Sequence, residues 1–115
     1  MKAMEKRLFL RLERLMVEER PYFDPDLTRK QVAEWLRTNE NYLYFAIHHT
    51  LPGTTFSMYV NRYRLDYAAS LLDENPEIKI ENVAMDCGFK TRQTFYRLFR
   101  ERFGMTPMEY RDRER

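Results

Sequence analysis

The chain has 115 residues, 43% of them hydrophobic and 15% aromatic, enough for one domain or two very small subdomains whose core needs no covalent staples. Cys87 is the only cysteine, so no disulfide forms within one chain; no stretch approaches about 18 uninterrupted apolar residues and the first residues lack the apolar core of a signal peptide, so the expectation is a cytoplasmic protein, or the cytoplasmic end of a longer sensor protein. Lys and Arg number 20 against 18 Asp and Glu, a net charge of +2 that favours no partner by itself.

Three Gly, five Pro and the lack of an alternating apolar and polar run predict an all-α chain. Leu8, Leu12, Leu15 and Met16 recur at helical spacing in an amphipathic packing helix that ends before Pro21. After a turn at Asp24-Pro25-Asp26-Leu27, Thr28 and Gln31 make a capping box that opens a short helix through Leu36, with Val32, Ala33 and Leu36 as its buried face. A break at Arg37-Thr38-Asn39 precedes a helix over roughly residues 40–50, stopped by Leu51-Pro52-Gly53. Thr54 and Thr55 offer N-caps to a long helix carrying Phe56, Val60, Tyr63, Tyr67, Ala68, Leu71 and Leu72 and closed by Asn75-Pro76. At about 20 residues that helix would be roughly 30 Å long.

Ile80, Val83, Ala84 and Cys87 mark the next short helix, stopped at Gly88. Thr91 caps another, which buries Phe95, Leu98, Phe99 and Phe103 and stops at Gly104. Thr106-Pro107-Met108-Glu109 is a second capping box with proline at the first helical position, so a seventh helix follows.

Two of these helix pairs share one pattern. Val32-Ala33 and Leu36 precede a break and then Leu43, Ala46 and Ile47; Val83-Ala84 and Cys87 precede Gly88 and then Phe95, Leu98 and Phe99. A short helix with a small Ala, a tight turn and a second helix with an i, i+3, i+4 seam is how a helix-turn-helix reads in sequence. The expected organisation is a packing helix plus a first helix-turn-helix over 1–53, a linker helix over 54–75 and a second helix-turn-helix over 76–115.

At about 100° per residue, the second copy places Gln93, Tyr96, Arg97 and Arg100 in one arc away from its apolar seam. Arg bonds guanine bidentately and Gln bonds adenine, while Lys90, Arg92 or Arg102 can meet phosphates, which suits a helix in the major groove of double-stranded DNA. The same rotation exposes Asn41, Tyr44, Phe45 and His48 in the first copy. Asn41 could read adenine and the aromatic rings could pack on thymine methyls or sugars, or they could be covered by the N-terminal helix or a partner protein. A linker of roughly 30 Å is close to one turn of B-DNA, the spacing at which two recognition helices enter successive major grooves.

The stretch from Ile80 to Arg111 resembles the signature of the DNA-binding domain of AraC/XylS-type bacterial transcription regulators, with Ala84, Gly88-Phe89, Phe95, Phe99, Phe103-Gly104, Thr106-Pro107 and Tyr110-Arg111 in the expected places. Arg64-Leu65, Ala68 and Leu71-Leu72 resemble that family's linker helix, and the likeness covers roughly residues 27–111. It implies a transcription regulator, usually an activator, that binds promoter DNA and contacts RNA polymerase. By position it implies Arg92, Gln93, Thr94 and Arg97 as the second unit's DNA-facing residues, Asn41, Tyr44 and Phe45 as the first unit's, and a phosphate on the backbone amides at Thr106 to Met108. Arg37 stands where many relatives have Gly, implying a first turn strained by about 1 kcal/mol or of another geometry, and Phe45 stands where a basic residue is frequent. The family's sensor or dimerisation domain has no counterpart in residues 1–26, which implies a longer sensor of which this is the DNA-binding end.

No cofactor or metal is expected. His48 and His49 are adjacent and diverge by about 100° on a helix, no CxxC or HExxH occurs, and Cys87 reads as a buried small hydrophobe rather than a nucleophile, so an enzyme is not expected. The rival reading is a helical protein-interaction module of a signalling protein, which would use Tyr44, Phe45 and the seven methionines. Salt separates the two, because DNA binding weakens steeply as counterions compete. RNA is disfavoured, since helical side chains cannot read the narrow A-form major groove.

Overall fold

The computed structural model describes residues 3–113. Among them are seven α-helices and no strand: α1 (Ala3–Glu19), α2 (Arg29–Trp35), α3 (Glu40–Thr50), α4 (Phe56–Glu74), α5 (Ile80–Asp86), α6 (Arg92–Phe103) and α7 (Pro107–Asp112), with one 3₁₀ turn at Pro21–Phe23. The all-α, seven-helix expectation holds. The chain forms two compact units, Met1–Asn61 and Arg62–Arg115, and the division falls within α4.

In the first unit the caps expected at Thr28 and Thr55 form, and Asn39, read from the sequence only as part of a break, supplies a third. Thr28 accepts from the Gln31 amide while the Gln31 side chain accepts from the Thr28 amide, closing the capping box of α2; Asn39 caps α3 through the Tyr42 amide and Thr55 caps α4 through the Met58 amide. Each such cap stabilises a helix start by about 1 kcal/mol. Leu8, Phe9, Leu12 and Met16 of α1 are buried with Val32, Ala33 and Leu36 and with the α3 seam Leu43, Ala46 and Ile47. Leu15, expected in the buried stripe, is half-buried, and Phe9 takes the core position instead, its ring edge-on to Tyr59 at 5.8 Å. The inward stripe of α1 is thus centred between Leu8 and Phe9 rather than between Leu8 and Leu15. A guanidinium nitrogen of Arg11 donates to the Leu36 carbonyl at 2.6 Å, giving a partner to one of the carbonyls that the end of α2 leaves open.

The second unit packs Leu65, Ala68, Ala69 and Leu72 of α4 with Ile80, Val83, Ala84, Cys87, Phe89, Phe95 and Phe99. Phe95 and Phe99 are fully buried, whereas Leu98 and Phe103, expected inside with them, are partly buried at the edge of the core. The rings form a chain of contacts: Phe89 to Phe95 at 5.2 Å, Phe95 to Phe99 at 5.6 Å, Phe99 to Phe103 at 4.5 Å and Phe99 to Tyr110 at 5.4 Å. Tyr110 brings α7 onto this stack, and its ring is covered by the Arg113 guanidinium, 3.8 Å from the centroid and paired with Asp73. Truncating Phe95 or Phe99 would cost about 3–5 kcal/mol.

The two turns match bond for bond. Leu36 and Cys87 donate to Val32 and Val83, each at 3.0 Å; Arg37 donates to Glu34 at 3.0 Å and Gly88 to Met85 at 3.2 Å; Thr38 donates to Ala33 at 2.9 Å and Phe89 to Ala84 at 3.2 Å. The last pair of bonds is the 6→1 closure of a Schellman motif, which requires a left-handed residue between helix and exit. Gly88 holds φ 91 and Arg37 holds φ 56. Of the two outcomes expected for Arg37, strain or a different geometry, the chain takes the strain. A non-glycine residue there costs about 1–2 kcal/mol, against about 0.5–1 kcal/mol of extra unfolded-state freedom that glycine would bring.

Arg37→Gly is therefore expected to stabilise the domain by about 1 kcal/mol, read as a higher urea midpoint at unchanged slope, and Gly88→Ala to destabilise it by about the same amount. A lower midpoint for Arg37→Gly would show that the Arg37 side chain contributes more than its backbone costs.

Candidate nucleic-acid interface

Thr91 fixes the start of α6 by accepting from the Thr94 amide, and Phe95 and Phe99 fix its rotation by facing the core. That rotation leaves Arg92, Gln93, Arg97 and Arg100 exposed. Lys90, just before the cap, is also exposed. Arg97 lies 3.7 Å from Glu101 and Arg92 3.8 Å from Glu81, with all four side chains well solvated. Such exposed pairs are worth well under about 1 kcal/mol and exchange readily for a phosphate or a base edge. The face is thus cationic and free to rearrange.

Three positions differ from the sequence expectation. Arg102, expected to meet phosphate, sits on the core side of α6 and forks onto Asp66 of α4, Nε at 2.9 Å and one terminal nitrogen at 3.1 Å from the two carboxylate oxygens; its guanidinium is already engaged in holding α6 to α4. Tyr96 is only half-exposed and packs against the core, edge-on to Phe95 at 5.9 Å, because it lies at the boundary between the seam and the polar arc. Thr94 is half-buried with its hydroxyl 3.0 Å from that of Thr91, so it belongs to the cap as much as to the face.

At α7, Thr106 accepts from the Glu109 amide at 3.1 Å and its own amide donates to the Glu109 carboxylate at 2.8 Å. Of the amides at Thr106 to Met108 expected to meet a phosphate, that of Thr106 is taken by Glu109 and proline at 107 has no N–H, which leaves only that of Met108. The hydrogen bond from the Thr106 amide, joined by the Thr106 side chain and the charge of Arg100, holds the Glu109 carboxyl below the usual range. The charged half of the box is complete above the ordinary Glu range and is lost only as pH falls through that lowered value. Tyr96, Arg97, Arg100, Glu101 and Thr106 together line a shallow open depression between α6 and α7.

The corresponding face of α3 is aromatic. Asn41, Tyr44 and Phe45 are exposed and His48 is half-exposed. Tyr44 stacks on His48 at 5.5 Å and 7° and meets Phe45 edge-on at 5.3 Å, and Phe45 stacks on His49 at 5.8 Å. His49 in turn bonds Glu5 of α1, a link between helices that sequence spacing alone does not reveal. Tyr44 and Phe45 are 42% and 45% exposed as whole residues, so the described part of α1 does not bury them.

The family described as "Helix-turn-helix domain" matches residues 32–113. YtdP, an uncharacterised HTH-type transcriptional regulator of Bacillus subtilis, is 36% identical over 93 residues, 81% of this chain and 12% of that protein. The melibiose operon regulatory protein of Escherichia coli is 30% identical over 89 residues, 77% of this chain and 29% of that protein. Among solved structures, the C-terminal domain of AraT, a response regulator from Geobacillus stearothermophilus, matches with a TM-score of 0.79 and 30% identity over 94% of this chain and 85% of that one. The chain thus spans less than a third of the length of these curated relatives.

No group of three or more His, Cys, Asp or Glu among the described residues is placed to hold a metal ion. No described helix is long and apolar enough to cross a membrane. Burial pushes the Cys87 thiol up to about 12, with the charge of Asp86 adding to the effect, so the reactive thiolate is scarce at neutral pH. At pH 8 an aromatic disulfide reagent is expected to leave Cys87 unmodified in the folded chain and to label it at once in urea. Rapid stoichiometric labelling without denaturant would show that the second core opens freely.

Proposed function

Because this chain belongs to the helix-turn-helix DNA-binding domains of AraC-type transcription regulators, we propose that it binds promoter DNA as a monomer, with α6 and α3 entering successive major grooves, and activates transcription through contact with RNA polymerase. It is not an enzyme. The observation that carries the reading is the repetition, within one chain, of the same helix, left-handed turn and helix, each copy leaving one face of its second helix open. In this reading residues 1–53 and 76–115 are the two reading subdomains and 54–75 the linker between them.

Base recognition at α6 falls to Arg97, Gln93 and Arg100, with Arg92, Lys90 and the Met108 amide beside Thr106 on phosphates and Tyr96 and Thr94 packing at the margin. At α3, Asn41 reads adenine while Tyr44, Phe45 and His48 pack on thymine methyls and sugars. The protein works in the cytoplasm, and a sensor domain outside this chain supplies its control. The aromatic surface of α3 also suits an apolar protein partner, a reading that predicts binding insensitive to salt, whereas DNA binding weakens steeply with it.

Selection of genomic duplex fragments at near-physiological salt tests the proposal, with Arg97→Ala in parallel. The expected result is enriched sites with two blocks about one helical turn apart. Arg97→Ala should weaken binding by about 1–3 kcal/mol and relax preference at one or two bases. Enrichment of a single block would restrict base reading to α6. Equal losses on selected and random duplex would mean that Arg97 only neutralises phosphate.

A further inference from the structure

One cationic surface of the first unit has no part in the reading above. Arg7 and Arg11 of α1 and Arg37 of the α2–α3 turn line one open groove, together with Met4, Leu8, Thr38 and Tyr42, and no carboxylate among the described residues lines it. Among the described residues Arg7 and Arg37 make no ion pair, and Arg11 bonds only the neutral Leu36 carbonyl. Like charges four residues apart on a helix, as Arg7 and Arg11 are, repel each other, and Arg37 adds a third from the turn. In the free domain this convergence is unfavourable. A bound anion would reverse its sign.

The position of Arg37 strengthens the case. Its backbone is held at φ 56, where the equivalent turn has glycine at φ 91, so the chain tolerates backbone strain at a position whose side chain lines this groove. Arg7 and Arg11 lie outside residues 32–113, the part matched by the helix-turn-helix family.

We propose that Arg7, Arg11 and Arg37 form a clamp for the DNA phosphodiester backbone beside α3. This rests on the DNA-binding reading and adds to it a contact that carries affinity without sequence information. At about 100° per residue, Tyr42 lies on the flank of α3, roughly a quarter-turn from the middle of the arc of Asn41, Tyr44, Phe45 and His48. The phosphodiester strands that wall a major groove run along the flanks of any helix lying in it. A groove that opens beside Tyr42 and carries three forked cations meets such a strand, and guanidinium forks match phosphate oxygens in geometry and charge. The clamp compensates for the α3 face, whose own side chains contribute aromatic rings rather than fixed positive charge.

The test compares wild type with Arg7→Gln, Arg37→Gln and the double variant; Arg11 is left in place because it also bonds the Leu36 carbonyl. Thermal melts establish that each variant folds. Binding to a selected duplex and to a scrambled one is followed by fluorescence anisotropy between about 50 and 200 mM salt. Each substitution is expected to make the plot of log affinity against log salt shallower by about one, and the double variant by about two. Both duplexes should lose affinity by the same factor, with site preference unchanged. A double-variant slope equal to wild type overturns the clamp, and the same unchanged slope with lost binding to a polyglutamate peptide overturns it in favour of an acidic protein partner. Failure of the underlying reading looks different: wild type would show no preference between the duplexes, while the slopes on the scrambled duplex would still decide the clamp.

Discussion

The arrangement of each helix pair depends on a single residue that bends the chain through left-handed backbone space. At Gly88 and at Arg37 the helix ends, the next amide turns back to the carbonyl of Ala84 or Ala33, and the chain leaves in the direction that starts the second helix. With that exit fixed, the seam Phe95 and Phe99, or Leu43, Ala46 and Ile47, faces the core, and the opposite face of the same helix has to face outward. The small Ala at the closing carbonyl lets the two helices approach. What each unit offers a partner is therefore settled by where its buried residues sit.

The two units solve this with different chemistry. In the second, tilted and edge-on ring contacts run from Phe89 through Phe99 to Tyr110 within the core, and arginines are divided between tasks. Arg102 and Arg113 hold helices together through Asp66 and Asp73, while Arg92, Arg97 and Arg100 remain on the surface. In the first, the α2–α3 seam is aliphatic and the open face of α3 is the aromatic one. Its arginines are displaced to α1 and to the turn, where Arg11 closes the end of α2. Duplicated backbone geometry thus carries two surfaces of different character, one cationic on α6 and one, on α3, with its cations beside it.

Much of this was legible in the sequence. Both capping boxes, the N-caps at Thr55 and Thr91, the order of the helices and the repeated turn follow from residue types and spacing, because caps and turns are made by side chains a few positions apart. The likeness to AraC-type regulators rests on the same stretch, Ile80 to Arg111, that builds the second core. Less legible were the residues whose partners lie far along the chain. Arg102 looked like one more basic residue near a cationic face, and only its contact with Asp66, 36 residues away, shows that its guanidinium is taken.

The sequence by itself determined the fold class, the helix boundaries, the duplicated turn and the family, since these are written in local periodicity, capping and the left-handed turn that Gly88 adopts without steric cost. Tertiary structure alone decided which way the chain resolved Arg37, that Phe9 rather than Leu15 enters the core, that His49 meets Glu5, and that Arg7, Arg11 and Arg37 share one groove. The physical reason is that periodicity fixes which face of a helix a residue occupies. Which neighbour that face meets depends on how whole helices pack, and that is a sum over contacts between residues distant in the chain.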